Sequence, residues 1–262
     1  MPEAQIKVTY VDHMGSDLSV CNSARVSFDK KTDWVTSLNG KPCHPCLSEG
    51  DIKLIKFLAR GMSTKDYDSL VDTIAATDDK DIIKKLINDY RHTPTHTAPF
   101  GHCFASFRVT APVFVARQLV KHEYMRMSEI SRRYVQGEPE LYYPDVWRKK
   151  ADNVKQGSSD EAIKLNKGAT SAYVGHMYTL LEHYDNLLCH QTAPEMARMV
   201  LPQSMMTSWV WSGSLDAFAN MCNLRLDPHA QEETRIVAQQ ISDKMGELFP
   251  VSWKALLNDE ET

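Results

Sequence analysis

The stretch His102-Cys103-Phe104-Ala105-Ser106-Phe107-Arg108-Val109-Thr110-Ala111-Pro112-Val113-Phe114-Val115-Ala116-Arg117-Gln118-Leu119-Val120-Lys121-His122-Glu123 carries two periods in succession. Cys103, Ala105, Phe107 and Val109 alternate with other side chains, which predicts a strand over 102–110 with one buried face. Pro112 suits the first position of a helix, and Val113 to Glu123 contains no breaker, so a helix is expected there. On that helix Val113, Ala116 and Val120 face the core. Arg117 stacks on Lys121 and Gln118 on His122 at i,i+4, forming one polar stripe. A strand that runs straight into a helix fixes the class as mixed.

Working outward, Ile6, Val8 and Tyr10 alternate and predict a strand over 5–11. Leu54, Ile55, Leu58 and Ala59 recur at helical spacing over 51–60, with Ser48 as cap and Gly61 as stop. Polar helices are expected over 65–76 and 79–91. The Gly- and Pro-containing segment 136–158 reads as a loop or crossover, followed by a long helix from Ser159 to Cys189. Thr192-Ala193-Pro194-Glu195 has the form of a capping box and opens a helix ending near Leu201-Pro202. Residues 204–212 predict a strand with Trp209 and Trp211 on one face, and Ser214 and Asp227-Pro228 cap two final helices. There is no regular βαβ rhythm and no Gly-x-Gly-x-x-Gly. The expectation is an α+β fold, a single domain over residues 1–262 with a central, mostly antiparallel sheet flanked by long helices.

Composition excludes several classes. A chain of 262 residues with 42% hydrophobic and 24% charged side chains, 10 Tyr and 5 Trp folds around a large core. Its net charge of -4 argues against non-specific nucleic-acid binding. No apolar run approaches the roughly 20 residues of a membrane span, and the N-terminus has no signal-peptide pattern, so a cytoplasmic protein is expected. The six cysteines are expected to be reduced. Cys43 and Cys46 could be half of a zinc site completed by His92 and His96, a redox pair, or two thiols in a loop.

Polar chemistry concentrates in three places. Arg117 to Glu123 runs on into Ser128-Glu129-Ile130-Ser131-Arg132-Arg133-Tyr134, and its stripe is either a solvated face or a ligand face. The arginines there have the planar fork that pairs with phosphate. Arg198, Asn220, Asn223, Arg225, His229 and Gln231 form the second group, in which Arg225 could simply answer a helix dipole. His92, His96 and His102 form the third. Spacing alone supports a site for a small phosphorylated molecule, and no metal ion is expected.

These residues also fall into a known order. Lys121-His122-Glu123, seven residues, then Ser131 is similar to the Arg-His-Arg…Ser signature of the flavin-dependent thymidylate synthases. Its flanks, Val115-Ala116-Arg117-Gln118 and Glu129-Ile130-Ser131-Arg132-Arg133-Tyr134, resemble the family as well. So do His96-Thr97-Ala98-Pro99-Phe100-Gly101-His102, Asp17 with Ala24-Arg25-Val26-Ser27, and Lys155-Gln156-Gly157-Ser158-Ser159. Ala197-Arg198-Met199-Val200-Leu201-Pro202, Asn223-Leu224-Arg225 and His229-Ala230-Gln231 complete the series.

The resemblance implies conversion of dUMP to dTMP, with methylenetetrahydrofolate as carbon donor, NADPH as reductant through FAD, and no cysteine nucleophile. It implies Arg225 as the group favouring N3-ionised uracil and Ser131 as a second catalytic group. dUMP positions carried over are Gln118, Leu119, Val120, Lys121, Glu129, Ile130, Ser131, Arg132, Arg133, Arg198 and Arg225. FAD positions are His96, Ala98, Lys121, His122, Glu123, Glu129, Ser214, Asp216 and Asn220. A homotetramer with shared sites is implied, with Arg198 serving a neighbour. Lys121 and Glu123 depart from the signature, Gly101 stands where many members have Glu, and Ser214 and Asp216 replace Asn and Arg. Arg126, one turn on, is expected to compensate. Rival readings are a flavin- and folate-dependent pyrimidine-nucleotide hydroxymethylase, an inactive nucleotide-binding homologue and a zinc module.

Overall fold

The computed structural model describes residues 4–38, 41–135, 137–152, 157–163 and 167–257. The chain opens with β1 (Lys7–Met14), α1 (Asp17–Arg25), the hairpin β2 (Val35–Leu38) and β3 (Lys41–Cys46), then α2 (Glu49–Arg60), α3 (Thr64–Ala75) and α4 (Lys80–Arg91). The middle holds β4 (Phe104–Pro112), α5 (Val113–Leu119), β5 (Met125–Glu129) and a second hairpin, β6 (Trp147–Lys150) with β7 (Ser158–Ile163). It ends with α6 (Lys167–Cys189), α7 (Pro194–Ala197), β8 (Met206–Ser214), α8 (Leu215–Arg225), α9 (Glu232–Leu248) and α10 (Pro250–Leu256). The class is α+β, with a central antiparallel sheet in the order β1-β4-β8-β5. No helix among the described residues is long and apolar enough to cross a membrane.

Two compact units are drawn from this chain. The first comprises Met1–Val11, Ser106–Ser212 and Met221–Ile241; the second comprises Asp12–Ala105, Gly213–Asn220 and Ser242–Thr262. In the first, Phe107, Val109, Trp209 and Trp211 are fully buried, as their alternation demands. The two tryptophan rings meet edge to face at 6.5 Å. In the second, α1 packs on α2, α10 and the turn Ala98–His102, around Val20, Ile55, Phe100 and Trp253. Ser48 caps α2 by accepting the Asp51 N–H. Gly61 ends it at φ +71, where a Cβ would lie 2.2 Å from the Pro94 carbonyl oxygen.

Several elements differ from the sequence expectation. The helix from Val113 stops at Leu119 rather than Glu123, and Pro112 is its extended N-cap, not its first helical residue. Tyr124 takes a left-handed conformation at φ +60, and residues 125–129 form an edge strand beside β8. The Arg117–Lys121 and Gln118–His122 stripe therefore does not form, and Arg126 lies on a strand rather than one helical turn beyond Glu123. The expected loop over 136–158 and the start of the long helix at Ser159 give way to the antiparallel hairpin β6–β7. Thr192 makes no capping box, because the N-cap of α7 is Ala193. Asp227 does not open α9; its carboxylate accepts the His229 N–H within the preceding turn. Cys43 and Cys46 lie on a hairpin strand, not in a loop. Lys155 and Gln156 fall outside the described residues.

Candidate active site

In the first unit, β4 delivers the chain into α5, and two of the open N–H groups at the helix start are met from outside. Val113 donates to the Met205 carbonyl at 2.9 Å and Phe114 to that of Gln203 at 3.2 Å. This docks α5 on the segment leading into β8 and fixes where its last turn points. Gln118, on that turn, donates from Nε2 to Gln231 Oε1 at 2.6 Å and accepts at Oε1 from the Thr234 hydroxyl at 3.2 Å. The turn beyond the helix carries His122, whose N–H returns to the Leu119 carbonyl.

Arg225 closes α8, yet its guanidinium does not answer its own helix carbonyls. Nε donates to His122 Nε2 at 3.0 Å and Nη2 donates to the Gln118 backbone carbonyl at 3.3 Å. Burial, and next the Arg225 charge, pushes the His122 pKa down to about 4, so the ring is neutral at pH 7. Burial also lowers Arg225 from its ordinary value, but a guanidinium stays cationic. Both Gln118 and Arg225 line a cavity of about 740 Å³. Its walls include Phe114, Tyr142, Trp147 and Tyr173, with Tyr173 edge-on to Trp147 at 5.1 Å.

Arg148 also lines this cavity, and the sequence reading missed it. It donates to Glu232 and, at 2.8 Å to each oxygen, to Glu233, while its Nε donates to the Ser158 hydroxyl at 3.0 Å. The adjacent pair Glu232-Glu233 was the available signal, but its partner lies 84 and 85 positions away. Gly157, at φ +111, lets the β7 entry approach the His229 carbonyl oxygen, which a Cβ would meet at 3.2 Å.

The other expected nucleotide positions of this unit lie apart from the cavity lining. Glu129 accepts the buried Thr207 hydroxyl at 2.6 Å, and Ile130 donates its N–H to Ser208. Ser131 is half-buried, and its hydroxyl accepts the Arg133 N–H at 3.3 Å. Arg132 donates to the Gly137 carbonyl, and Arg133 pairs with Glu195 at 3.3 Å. Arg198 Nε donates to the Glu195 carbonyl, within its own turn. Leu119 is buried, whereas Val120, Lys121 and Glu123 are exposed.

His96, Ala98, Ser214, Asp216 and Asn220 belong to the second unit. The exposed His96 ring stacks on Phe57 at 5.6 Å and 24°, a flat aromatic pair suited to the ring system of a flavin. Asp216 accepts the Ser214 hydroxyl. The Asp216 carboxylate brings no positive charge for a pyrophosphate. The zinc reading finds no cluster. His92 bonds to the Asn88 carbonyl, Cys43 and Cys46 share the Val35 carbonyl at 3.7 Å each, and no three metal-ligating side chains converge among the described residues.

A fixed guanidinium and an amide beside aromatic walls make a cavity of this size suited to a small, planar, polar ligand on an α+β scaffold. The chain belongs to the thymidylate synthase complementing protein family, whose model matches residues 9–251. A flavin-dependent thymidylate synthase from Thermus thermophilus is 31% identical over 253 residues, covering 95% of this chain and 74% of the relative. One from Treponema denticola is 30% identical over 237 residues, covering 88% and 71%. Among solved structures, the UMP/dUMP methylase PolB from Streptomyces cacaoi, bound with 5-Br dUMP, is 25% identical with a TM-score of 0.68. That match covers 97% of this chain and 95% of PolB. The chain is thus a flavin-dependent methyltransferase of the thymidylate synthase type.

Proposed function

We propose that this protein converts dUMP to dTMP in the cytoplasm, as one functional domain, with methylenetetrahydrofolate as carbon donor and NADPH as reductant. When bound, FAD supplies the hydride chemistry of the reaction. The observation that carries the reading is Arg225, a cation held by two acceptors, His122 Nε2 and the Gln118 carbonyl, in the lining of a cavity. C5 of uracil is a weak nucleophile, and a guanidinium beside the ring favours the N3-ionised form, in which C5 is richer in electrons. Gln118 lies on the same wall and is held by Gln231 and Thr234, so its position is set before the substrate arrives.

No thiolate serves this site. None of the six cysteines is among the cavity's lining residues, and burial pushes Cys21 up to about 12 and Cys103 to about 11. Lys121, Arg133 and Arg198 are exposed cations suited to the nucleotide's dianionic phosphate, with Ser131 as a hydroxyl partner to the pyrimidine. His96, Ala98, His122, Glu123, Glu129, Ser214, Asp216 and Asn220 are the proposed FAD positions. We assign Arg198, exposed and away from the cavity lining, to the site of a neighbouring subunit in a homotetramer. A light-scattering mass of four chains is the expected result.

Arg225→Ala separates activation from cofactor binding. Turnover should fall by a factor of at least about 100, the usual cost of removing a group that stabilises transition-state charge, while FAD stays bound on gel filtration. Unchanged turnover would remove Arg225 from the mechanism.

A further inference from the structure

An arginine presents two pairs of coplanar donors: the side edge, Nε–H with one Nη2–H, and the end edge, Nη1–H with the other Nη2–H. In Arg225 the side edge is taken, Nε by the ring of His122 and Nη2 by the carbonyl of Gln118. Nη1, on the end edge, has no partner among the described residues, and Arg225 lines the cavity. A guanidinium on a flexible stem would otherwise sample many rotamers, each with its end edge aimed elsewhere. Two acceptors on one edge restrict it to a single plane.

Resting on the reading of Arg225 given above, we propose that His122 is the positioning residue that orients the Arg225 end edge toward the pyrimidine. Three features set it apart from a filler on the turn. It is half-buried between exposed neighbours, Lys121 and Glu123, so the turn sends this one side chain inward. Its Nε2 accepts, which requires the Nδ1–H tautomer of a neutral ring. Burial keeps it in that form at pH 7, where an imidazolium would repel Arg225 and could accept nothing. Among the described residues, Arg225 is the charged group that acts on the ring, and Gln118 meets the guanidinium through its uncharged carbonyl.

The resemblance places His122 on the flavin side of the site. The structure also points its Nε2 at Arg225, and its action on the substrate runs through that arginine. A leucine of similar bulk would fill the space without accepting from Nε, whereas a glutamine restores a neutral acceptor.

The readout is the pH at which bound 5-fluoro-dUMP shows the ultraviolet change of N3 ionisation, measured on the FAD-loaded enzyme. The expected result for His122→Leu is an upward shift of about one pH unit, a roughly tenfold loss of preference for the ionised ring. His122→Gln should stay close to the unaltered protein, and Arg225→Ala should shift at least as far as His122→Leu. If Arg225→Ala shifts and His122→Leu does not, His122 has no positioning role and the proposal falls. If Arg225→Ala itself does not shift, it is the reading of Arg225 that fails. A purely structural role for His122 would weaken nucleotide binding equally in both ionisation states, leaving the midpoint unmoved, and that outcome also overturns the proposal. Should His122→Leu not fold, His122→Asn, whose shorter amide cannot span the same distance, takes its place with the same expected shift.

Discussion

Arg225 illustrates how far single residues speak. A cation closing a helix is ordinarily explained by the helix dipole, and its spacing offers nothing more. What distinguishes it is the pair of acceptors, His122 and the Gln118 carbonyl, that lie 103 and 107 positions away. Gln118 and His122 were legible as polar residues four apart, but as partners of each other on one helix face. They are partners of Arg225, Gln231 and Thr234 instead. Arg148 was illegible for the same reason, since an arginine among lysines acquires meaning only beside Glu232 and Glu233. Exposed Glu123 stands where the family signature has an arginine. Glu123→Arg should tighten FAD several-fold, a gain typical of one added charge near a phosphate at a partly exposed site, as read by flavin fluorescence titration. Weaker FAD binding would mean that Glu123 has a partner of its own.

At the scale of elements, alternation proved a firmer guide than helical spacing. β4 and β8 were legible because one face of each is wholly buried, so every second residue had to be apolar. β5 was not, because Arg126, Ser128 and Glu129 are exposed and the strand exists through its place beside β8 rather than through its composition. Nor was β6–β7, a separate two-stranded hairpin whose residues, Trp-Arg-Lys-Lys and Ser-Ser-Asp-Glu-Ala-Ile, show no alternation of apolar and polar side chains. Asp17 gives a case where the structure explains a residue that the sequence merely matched. Its carboxylate accepts the N–H groups of Val251 and Ser252, both at 2.9 Å, and so caps α10, whose own N-cap, Phe249, has no side-chain acceptor. Asp17→Ala should cost about 2–4 kcal/mol in urea unfolding, because it orphans two N–H groups that are otherwise satisfied. A cost below about 0.5 kcal/mol would leave α10 capped by something else.

Asp51 adds a pH signature at this scale. Burial alone would raise its carboxyl, but hydrogen bonds from Ser48, Arg25 and Thr32 hold it below its ordinary value of 3.8. A carboxylate held low stabilises the fold fully above that value, and the contribution is lost as pH falls through the native pKa. Asp51→Asn should therefore lower Tm at pH 7 yet flatten the fall in Tm below about pH 4. Parallel acid profiles for the two proteins would remove Asp51 from that account.

For the molecule as a whole, the order of short blocks along the chain was more informative than any one block. Each is three to seven residues and individually weak, but the family match runs from residue 9 to 251. The α+β class was equally legible from the alternation of periods. The division into two compact units was not, since both units draw on three separate stretches of chain and no linker marks them. Glu123 and Asp216, which the resemblance sets on the flavin side, bear on the whole reaction, because reversed charges beside the cofactor would allow a different end to carbon transfer. The mass of the nucleotide formed from dUMP with FAD, NADPH and methylenetetrahydrofolate decides this. The account predicts a product carrying one added methyl group. A hydroxymethyl product would contradict the reductive step, and unchanged dUMP with no flavin retained would contradict the assignment of catalysis to this chain.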